Sequence, residues 1–170
     1  MQVMSDIITE VDKYITGWTG GLPETPCGFG SKMKATQAQR EWIPMIVEKY
    51  EISTVSDIGA GDLNWIKSVD WDVEYTPYDL VPRLPEVIEF DIVRQIPDGC
   101  DLILCLWVLN HLPFEHCQAA IRNIKASGSE YLMMTDRLRY RADQPPEIEM
   151  KYIEKMRLND LGDSIMLIKL

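Results

Sequence analysis

The residue run Val55-Ser56-Asp57-Ile58-Gly59-Ala60-Gly61-Asp62, with Asp79 eighteen positions beyond Gly61, is where this sequence concentrates residue types suited to chemistry. A β-branched run ending in two glycines reads as a strand that breaks into a tight turn. Glycine at both positions lets the backbone turn sharply and lets a bound molecule approach without a Cβ in the way. A carboxylate closing the following strand is placed to accept hydrogen bonds from the two hydroxyls of a ribose. The plainer reading of the glycines is a tight strand-to-helix turn, and of Asp79 a solvated strand end; the Asp57 and Asp79 context favours the binding reading.

The details of the turn restrict the ligand. A nicotinamide dinucleotide wants a third glycine so that a helix N-terminus can hold its pyrophosphate. That position is Asn64 here, and Asp62 adds negative charge where phosphates would lie. S-adenosylmethionine has no phosphate and carries a sulfonium and an ammonium group, so an acidic turn suits it. Asp62 has a simpler use as the cap of a following helix.

The elements expected to position these residues follow from periodicity. Ser5 or Asp6 caps a helix carrying Ile7, Ile8, Val11, Tyr14 and Ile15, stopped by Gly17, Gly20, Gly21 and Pro23. A loop follows over Glu24–Ser31, and a second helix runs from about Thr36 to Tyr50, kinked or restarted at Pro44. Strands are expected over Thr54 to Ile58, Val73 to Asp79, Val87 to Phe90, Asp101 to Leu106, Tyr131 to Thr135 and Ile165 to Leu170. A short helix holds Trp65 and Ile66, and Pro113 opens a longer one with Cys117, Ala120, Ile121 and Ile124 on one face and Gly128 at its end. The segment between the last two strands has no readable element. The crossovers at 80–86 and 92–100 are too short for full helices, so one face of the sheet should be thinly covered. The expected fold is α/β: a three-layer Rossmann-like sandwich with a mostly parallel sheet, an N-terminal helical extension and a shortened C-terminal part. Residues 1–170 are expected to form one domain, with helices and loop over 1–50 and the α/β core over 51–170.

Four segments in order resemble the class I S-adenosylmethionine-dependent methyltransferases. Asp57-Ile-Gly-Ala-Gly61 resembles their first motif and Tyr78-Asp79 their ribose-binding acidic position. Glu89-Phe90-Asp91-Ile92 is similar to the segment that packs along the adenine, and Asp101 to Pro113 to the fourth strand and its turn. Glu24 to Ser31, Arg40-Glu41-Trp42 and Gly59-Ala60-Gly61-Asp62-Leu63-Asn64-Trp65 resemble a small bacterial and phage branch of the same family. The resemblance covers about Ser53 to Thr135 and implies S-adenosylmethionine as cofactor, held by Asp57, Gly59, Ala60, Gly61, Asp79 and Asp91, with Asp91 in reach of the adenine amino group.

Further candidates have a second, duller explanation each. Arg40 suits the cofactor carboxylate, or a surface ion pair. Trp107 stacks on the adenine or closes the sheet edge. His111 faces the transferred methyl in the resembling families, where it would take a substrate proton, or it closes the turn before Pro113. The loop 24–31 is expected to act as a lid over the methionine end.

Bulk properties narrow the function classes. A net charge of −10 disfavours nucleic acid as a partner, although Arg137, Arg139 and Arg141 could form a local basic patch. The Asn/Asp-Pro-Pro-Tyr tetrapeptide of amino-group DNA methyltransferases does not follow the fourth strand. Four cysteines without CxxC spacing and two histidines give no metal site. No apolar run is long enough for a membrane span and the first residues lack a signal-peptide pattern, so a cytoplasmic location is expected. The expected activity is methyl transfer to a small-molecule or protein acceptor. The alternatives are a catalytically inactive cofactor-binding subunit and another cofactor-consuming enzyme.

Overall fold

The computed structural model describes residues 24–136, 151–158 and 162–170. The expected helix at 5–15 and the three arginines at 137, 139 and 141 lie outside them. Nine regular elements of more than one turn, or of strand, follow in order among the described residues. They are α1 (Gln37–Lys49), β1 (Thr54–Ile58), β2 (Glu74–Asp79), β3 (Ile88–Glu89), β4 (Leu102–Cys105), α2 (Phe114–Ala126), β5 (Tyr131–Thr135), β6 (Tyr152–Arg157) and β7 (Ser164–Lys169).

The seven strands form one sheet in the order β3-β2-β1-β4-β5-β7-β6. Strands β1 to β5 are mutually parallel, and β7 runs antiparallel between β5 and β6. The chain starts in the middle of the sheet, builds outward through β2 and β3, then returns to lay β4 on the other side of β1. The carboxyl ends of β1 and β4 therefore flank the reversal in strand order, where open α/β sheets bind their ligands.

Alternation along the strands divides the core into two faces. Val55, Leu102, Leu104, Met133, Ile165 and Leu167 pack with Ile43, Ile46 and Val47 of α1 on one face. Ile103, Cys105, Leu132, Met134 and Ile168 pack with Cys117, Ala120, Ile121 and Ile124 of α2 on the other. Strands β4 and β5 are buried at every position, the signature of strands covered on both faces. This is the expected three-layer arrangement.

The structure differs from expectation in three places. First, Tyr152–Arg157 is a strand where none is predicted. It is an edge strand with Tyr152 and Ile153 exposed and a register shift between Tyr152 and Glu154, so it shows neither a buried run nor clean alternation. Its place is held by β7 and by Lys49 and Tyr50, which both donate to Glu154 Oε1. Second, the helix expected around Trp65 and Ile66 is a single 3-10 turn, Ile66–Ser68, with Trp65 ahead of it. Third, Pro44 stands inside α1 without ending it. No helix fills the 80–87 or 90–101 crossovers, as their lengths predict. The four cysteines are free thiols.

Candidate functional site

The glycine turn is built by backbone geometry that few residues allow. The amides of Gly59 and Ala60 both donate to the Tyr78 carbonyl (2.8 and 3.0 Å), which draws the end of β1 across to the end of β2. Gly59 has φ 91°, and a Cβ there would lie 2.2 Å from Val108 Cγ2. The loops leaving β1 and β4 thus touch directly at the strand-order reversal. Gly61 has φ 62°, and a Cβ there would meet Cys27 Sγ at 2.9 Å.

Asp79 closes this turn from the next strand. Its Oδ2 accepts the Gly61 amide at 2.8 Å and its Oδ1 the Val81 amide at 2.9 Å, with the residue only 1% exposed. Asp57 lies deeper, and its Oδ2 accepts the Tyr75 hydroxyl at 2.7 Å. Burial pushes the Asp57 carboxyl up to about 7; the tyrosine hydrogen bond works against that shift and the Asp79 charge adds to it. Burial also pushes the Tyr75 phenol up, with the Asp57 charge adding to it. Asp57 is therefore a buried support beside the turn, and Tyr75, its hydroxyl partner, is a residue that sequence reasoning missed.

Residues 24–36 fold over the turn as a strap. Asn64 Nδ2 donates to Glu24 Oε1 (3.1 Å) and to the Ser31 carbonyl (2.9 Å). The Met33 amide donates to the same Glu24 oxygen at 2.6 Å. These bonds, the Met33 amide first, hold the Glu24 carboxyl below its ordinary value. Burial raises the Cys27 thiol to about 11, with the Asp62 charge adding to it and Arg83 opposing it. Gly30 rests on the indole of Trp107, whose Cδ1 would be 3.7 Å from a Cβ at that glycine. Residues 24–31 and 59–65 are thereby in contact.

The remaining candidates fall around this centre. Trp107 follows β4 with φ 59°, its amide donates to Thr135 Oγ1 at 3.1 Å, and its Nε1 is buried without a hydrogen-bond partner. Arg40 on α1 donates from Nη2 to the Met33 carbonyl at 3.0 Å, while its Nε is likewise buried and unpartnered. Asp91, beyond β3, caps its own turn: Oδ1 accepts the Val93 amide at 2.9 Å and Oδ2 is 3.5 Å from Arg94 Nε. His111 ends the 3-10 turn Leu109–His111 after β4, half-buried. Asp62 accepts the Asn64 amide at 3.3 Å and caps a turn, not a helix. The glycine turn, Asp79, Trp107 and the strap are gathered together, with Asp57 directly behind; Arg40 is linked through Met33. Asp91 occupies a separate turn of its own, and no bond among those above joins it to the glycine turn.

Similarity to solved structures bears on this arrangement. N-methyltransferase NodS from Bradyrhizobium japonicum WM9, in complex with S-adenosyl-L-homocysteine, superposes with a TM-score of 0.63 at 12% identity. The match covers 96% of this chain and 97% of NodS. The fold is that of the S-adenosylmethionine-dependent methyltransferases. Magnesium protoporphyrin IX methyltransferase (ChlM) from Synechocystis PCC 6803, with bound S-adenosylmethionine, has the same methyltransferase fold at a TM-score of 0.55 and 13% identity, covering 97% of each chain. TnmH is similar at a TM-score of 0.54 and 16% identity over 80% of this chain, which spans 56% of TnmH. No protein-family model and no curated protein sequence matches the chain. Among the described residues no helix is long and apolar enough to cross a membrane.

The residues present suit S-adenosylmethionine. The glycine at 61 leaves backbone bare where any Cβ would clash, Asp79 sets a carboxylate against the turn, and Arg40 Nε is a buried donor without a partner. Acidic groups at 62 and 79 suit a cationic ligand and oppose a pyrophosphate.

Proposed function

We propose that the chain is a class I S-adenosylmethionine-dependent methyltransferase, with residues 1–170 working as one domain on a small-molecule or protein acceptor. One observation carries this reading: the bare backbone of Gly59–Gly61 and the Asp79 carboxylate are joined by a 2.8 Å hydrogen bond at the carboxyl ends of β1 and β2, on a methyltransferase fold. The cofactor, when bound, supplies a methyl group made electrophilic by its sulfonium. Asp79 holds the ribose hydroxyls, the Gly59–Gly61 backbone lets the ligand approach, and Asp91 serves the adenine amino group. Trp107 covers the adenine, and Arg40 offers its free Nε–H to the carboxylate. Asp57, held by the Tyr75 hydroxyl, lies at the end of β1 behind the turn. His111 accepts the acceptor's proton where the acceptor has one to lose. Most of the rate comes from holding the acceptor in line with the methyl.

The test is thermal unfolding with S-adenosylmethionine and with S-adenosyl-L-homocysteine, for the wild type and Asp79→Asn. Ligand at about 100 times its dissociation constant adds roughly 2.7 kcal/mol, which raises Tm by about 5–10 °C at this chain length. Both ligands should shift the wild type, and the shift should shrink in the variant. No shift from either ligand at millimolar concentration overturns the reading.

A further inference from the structure

We infer that Gln39 and Arg40, neighbours in the first turn of α1, form one subsite for an α-amino-acid end. In it Gln39 Oε1 accepts from the ammonium and Arg40 Nε–H donates to the carboxylate. That the ligand is S-adenosylmethionine or its demethylated product rests on the methyltransferase reading; that these two residues work as a pair rests on the fold.

Gln39 is 1% exposed, yet its Oε1 accepts no hydrogen bond. A buried carbonyl oxygen left without a donor costs about 1–3 kcal/mol, and buried polar groups are nearly always partnered. Arg40 Nε, Trp107 Nε1, Asn110 Oδ1 and Gln118 Oε1 are in the same state. They belong to the first turn of α1, the exit from β4 and the opening turns of α2. All three places adjoin the carboxyl ends of the strands, the end at which open α/β sheets bind ligands. The other end of α1 lies at the amino ends: its C-cap Tyr50 stacks on Tyr131 at the start of β5, with ring centroids 5.2 Å apart. Of the buried residues Gln39, Ile43, Ile46 and Val47, Gln39 comes first, so it closes the inward face of α1 on the ligand side. Helical side chains lean toward the helix N-terminus, which turns Gln39 and Arg40 back over the strap. Arg40 shows this directly, since its Nη2 donates to the Met33 carbonyl at 3.0 Å. Met33 in turn borders the loop after the glycine turn, with its Sδ 4.0 Å from Ser68 Oγ. Thr36, the other buried polar residue at this end, commits its hydroxyl to the Lys32 carbonyl at 2.9 Å. The two open groups differ in the way a zwitterion requires. A guanidinium N–H suits a carboxylate, and an amide oxygen accepts from an ammonium. The neutral acceptor also matters: a carboxylate at position 39 would pair with Arg40 and close the subsite on itself.

Calorimetric Kd values for four ligands test this. They are S-adenosyl-L-homocysteine, its analogue without the amino group, its analogue without the carboxyl group, and 5′-methylthioadenosine, which lacks the amino-acid end. Gln39→Met keeps length and helix propensity but removes the acceptor. It should weaken the two ammonium-bearing ligands about tenfold and leave the other two unchanged. Arg40→Met should weaken the two carboxylate-bearing ligands by at least as much and spare the rest. Gln39→Glu should retain the ligand that has only the ammonium and weaken the one that has only the carboxylate, because the new charge takes up Arg40. Within each variant methylthioadenosine is the reference, so a change in stability cancels from the ratio. If Gln39→Met does not fold, Gln39→Asn, whose amide falls one carbon short, carries the same comparison. An equal loss for all four ligands in Gln39→Met makes Gln39 merely structural and overturns the subsite, as does no loss for any. Loss of ammonium selectivity in Asp62→Asn but not in Gln39→Met puts the ammonium at the acidic turn and overturns it too. If the wild type binds methylthioadenosine as tightly as S-adenosyl-L-homocysteine, the subsite falls while the cofactor reading stands. If it binds none of the four, the methyltransferase reading falls and the subsite with it.

Discussion

At the scale of single residues, the site shows how one position can be chosen for what it excludes. Gly59 is bound by its amide to Tyr78 and hemmed in by Val108, so both its φ and its missing Cβ are required. Asp57 is the opposite case, a residue whose charge is opposed by its surroundings. Its folded-state carboxyl stands at about 7, raised by burial, against an ordinary value of 3.8. Folding therefore takes up a proton between those two values, and this group's contribution to stability falls as pH rises through that window. Asp57→Asn keeps an oxygen to accept the Tyr75 hydroxyl and removes the titration. We expect the variant to gain on the wild type from pH 4 to pH 8, by up to about 4 kcal/mol at the alkaline end, in urea unfolding at each pH. A stability difference that does not vary with pH would show that Asp57 is not held protonated. Asp57, the glycines and Asp79 are legible in the sequence because their order and spacing are local. Tyr75 is not: it is an ordinary strand aromatic until the β1–β2 pairing brings its hydroxyl to Asp57.

At the scale of elements, the strands were predicted where burial on both faces leaves a continuous apolar run, as in β4 and β5, or where alternation meets a turn signal, as in β1 and β2. Strand β6 was missed for a physical reason. It is an outer strand whose pattern is Tyr-Ile-Glu-Lys-Met-Arg, with a register shift, and its pairing to β7 and the Glu154 bonds from Lys49 and Tyr50 are what make it a strand. The starts of β1 and β4 are locked by a reciprocal cluster. Asp101 Oδ2 accepts the Ser53 hydroxyl (2.7 Å) and the Ser53 and Thr54 amides (2.8 Å each), while the Asp101 amide donates to Thr54 Oγ1 at 2.8 Å. These bonds, the Ser53 hydroxyl first, lower the Asp101 carboxyl to about 2. The sign is the reverse of Asp57: the stabilisation is complete above the ordinary carboxylate value and is lost as pH falls toward 2. Because Asp101 is near solvent, its contribution is about 1 kcal/mol. Asp101→Asn should cost about that much at pH 7 in urea unfolding, and the difference from wild type should close between pH 4 and pH 2. A cost that persists at pH 2 would mean that the charge is not what the cluster uses.

For the molecule as a whole, the net charge is −10. Among the described residues the ion pairs Lys49–Glu154, Lys67–Glu86, Lys155–Asp136 and Lys169–Glu130 join side chains that are partly to largely exposed and are worth little each. Self-repulsion should dominate, so Tm should rise as sodium chloride goes from about 20 to about 300 mM and the repulsion is screened. A fall in Tm over that range, followed by calorimetry, would instead show that attractive pairs prevail. The sequence by itself determined the α/β class, the parallel centre of the sheet and the turn at 59–61, because each depends on periodicity or on residues within one strand-turn-strand unit. Tertiary structure alone decided which side of β1 receives β4, that β6 completes the sheet, and that 24–36 lies across the glycine turn with Cys27 against Gly61. Those outcomes depend on contacts between separate elements, from the β6–β7 pairing to the bonds of Lys49 and Tyr50 with Glu154, about a hundred positions away. Such contacts are selected by shape and by paired hydrogen bonds such as Asn64 to Glu24 and Ser31, and they leave no periodic trace in the order of the residues.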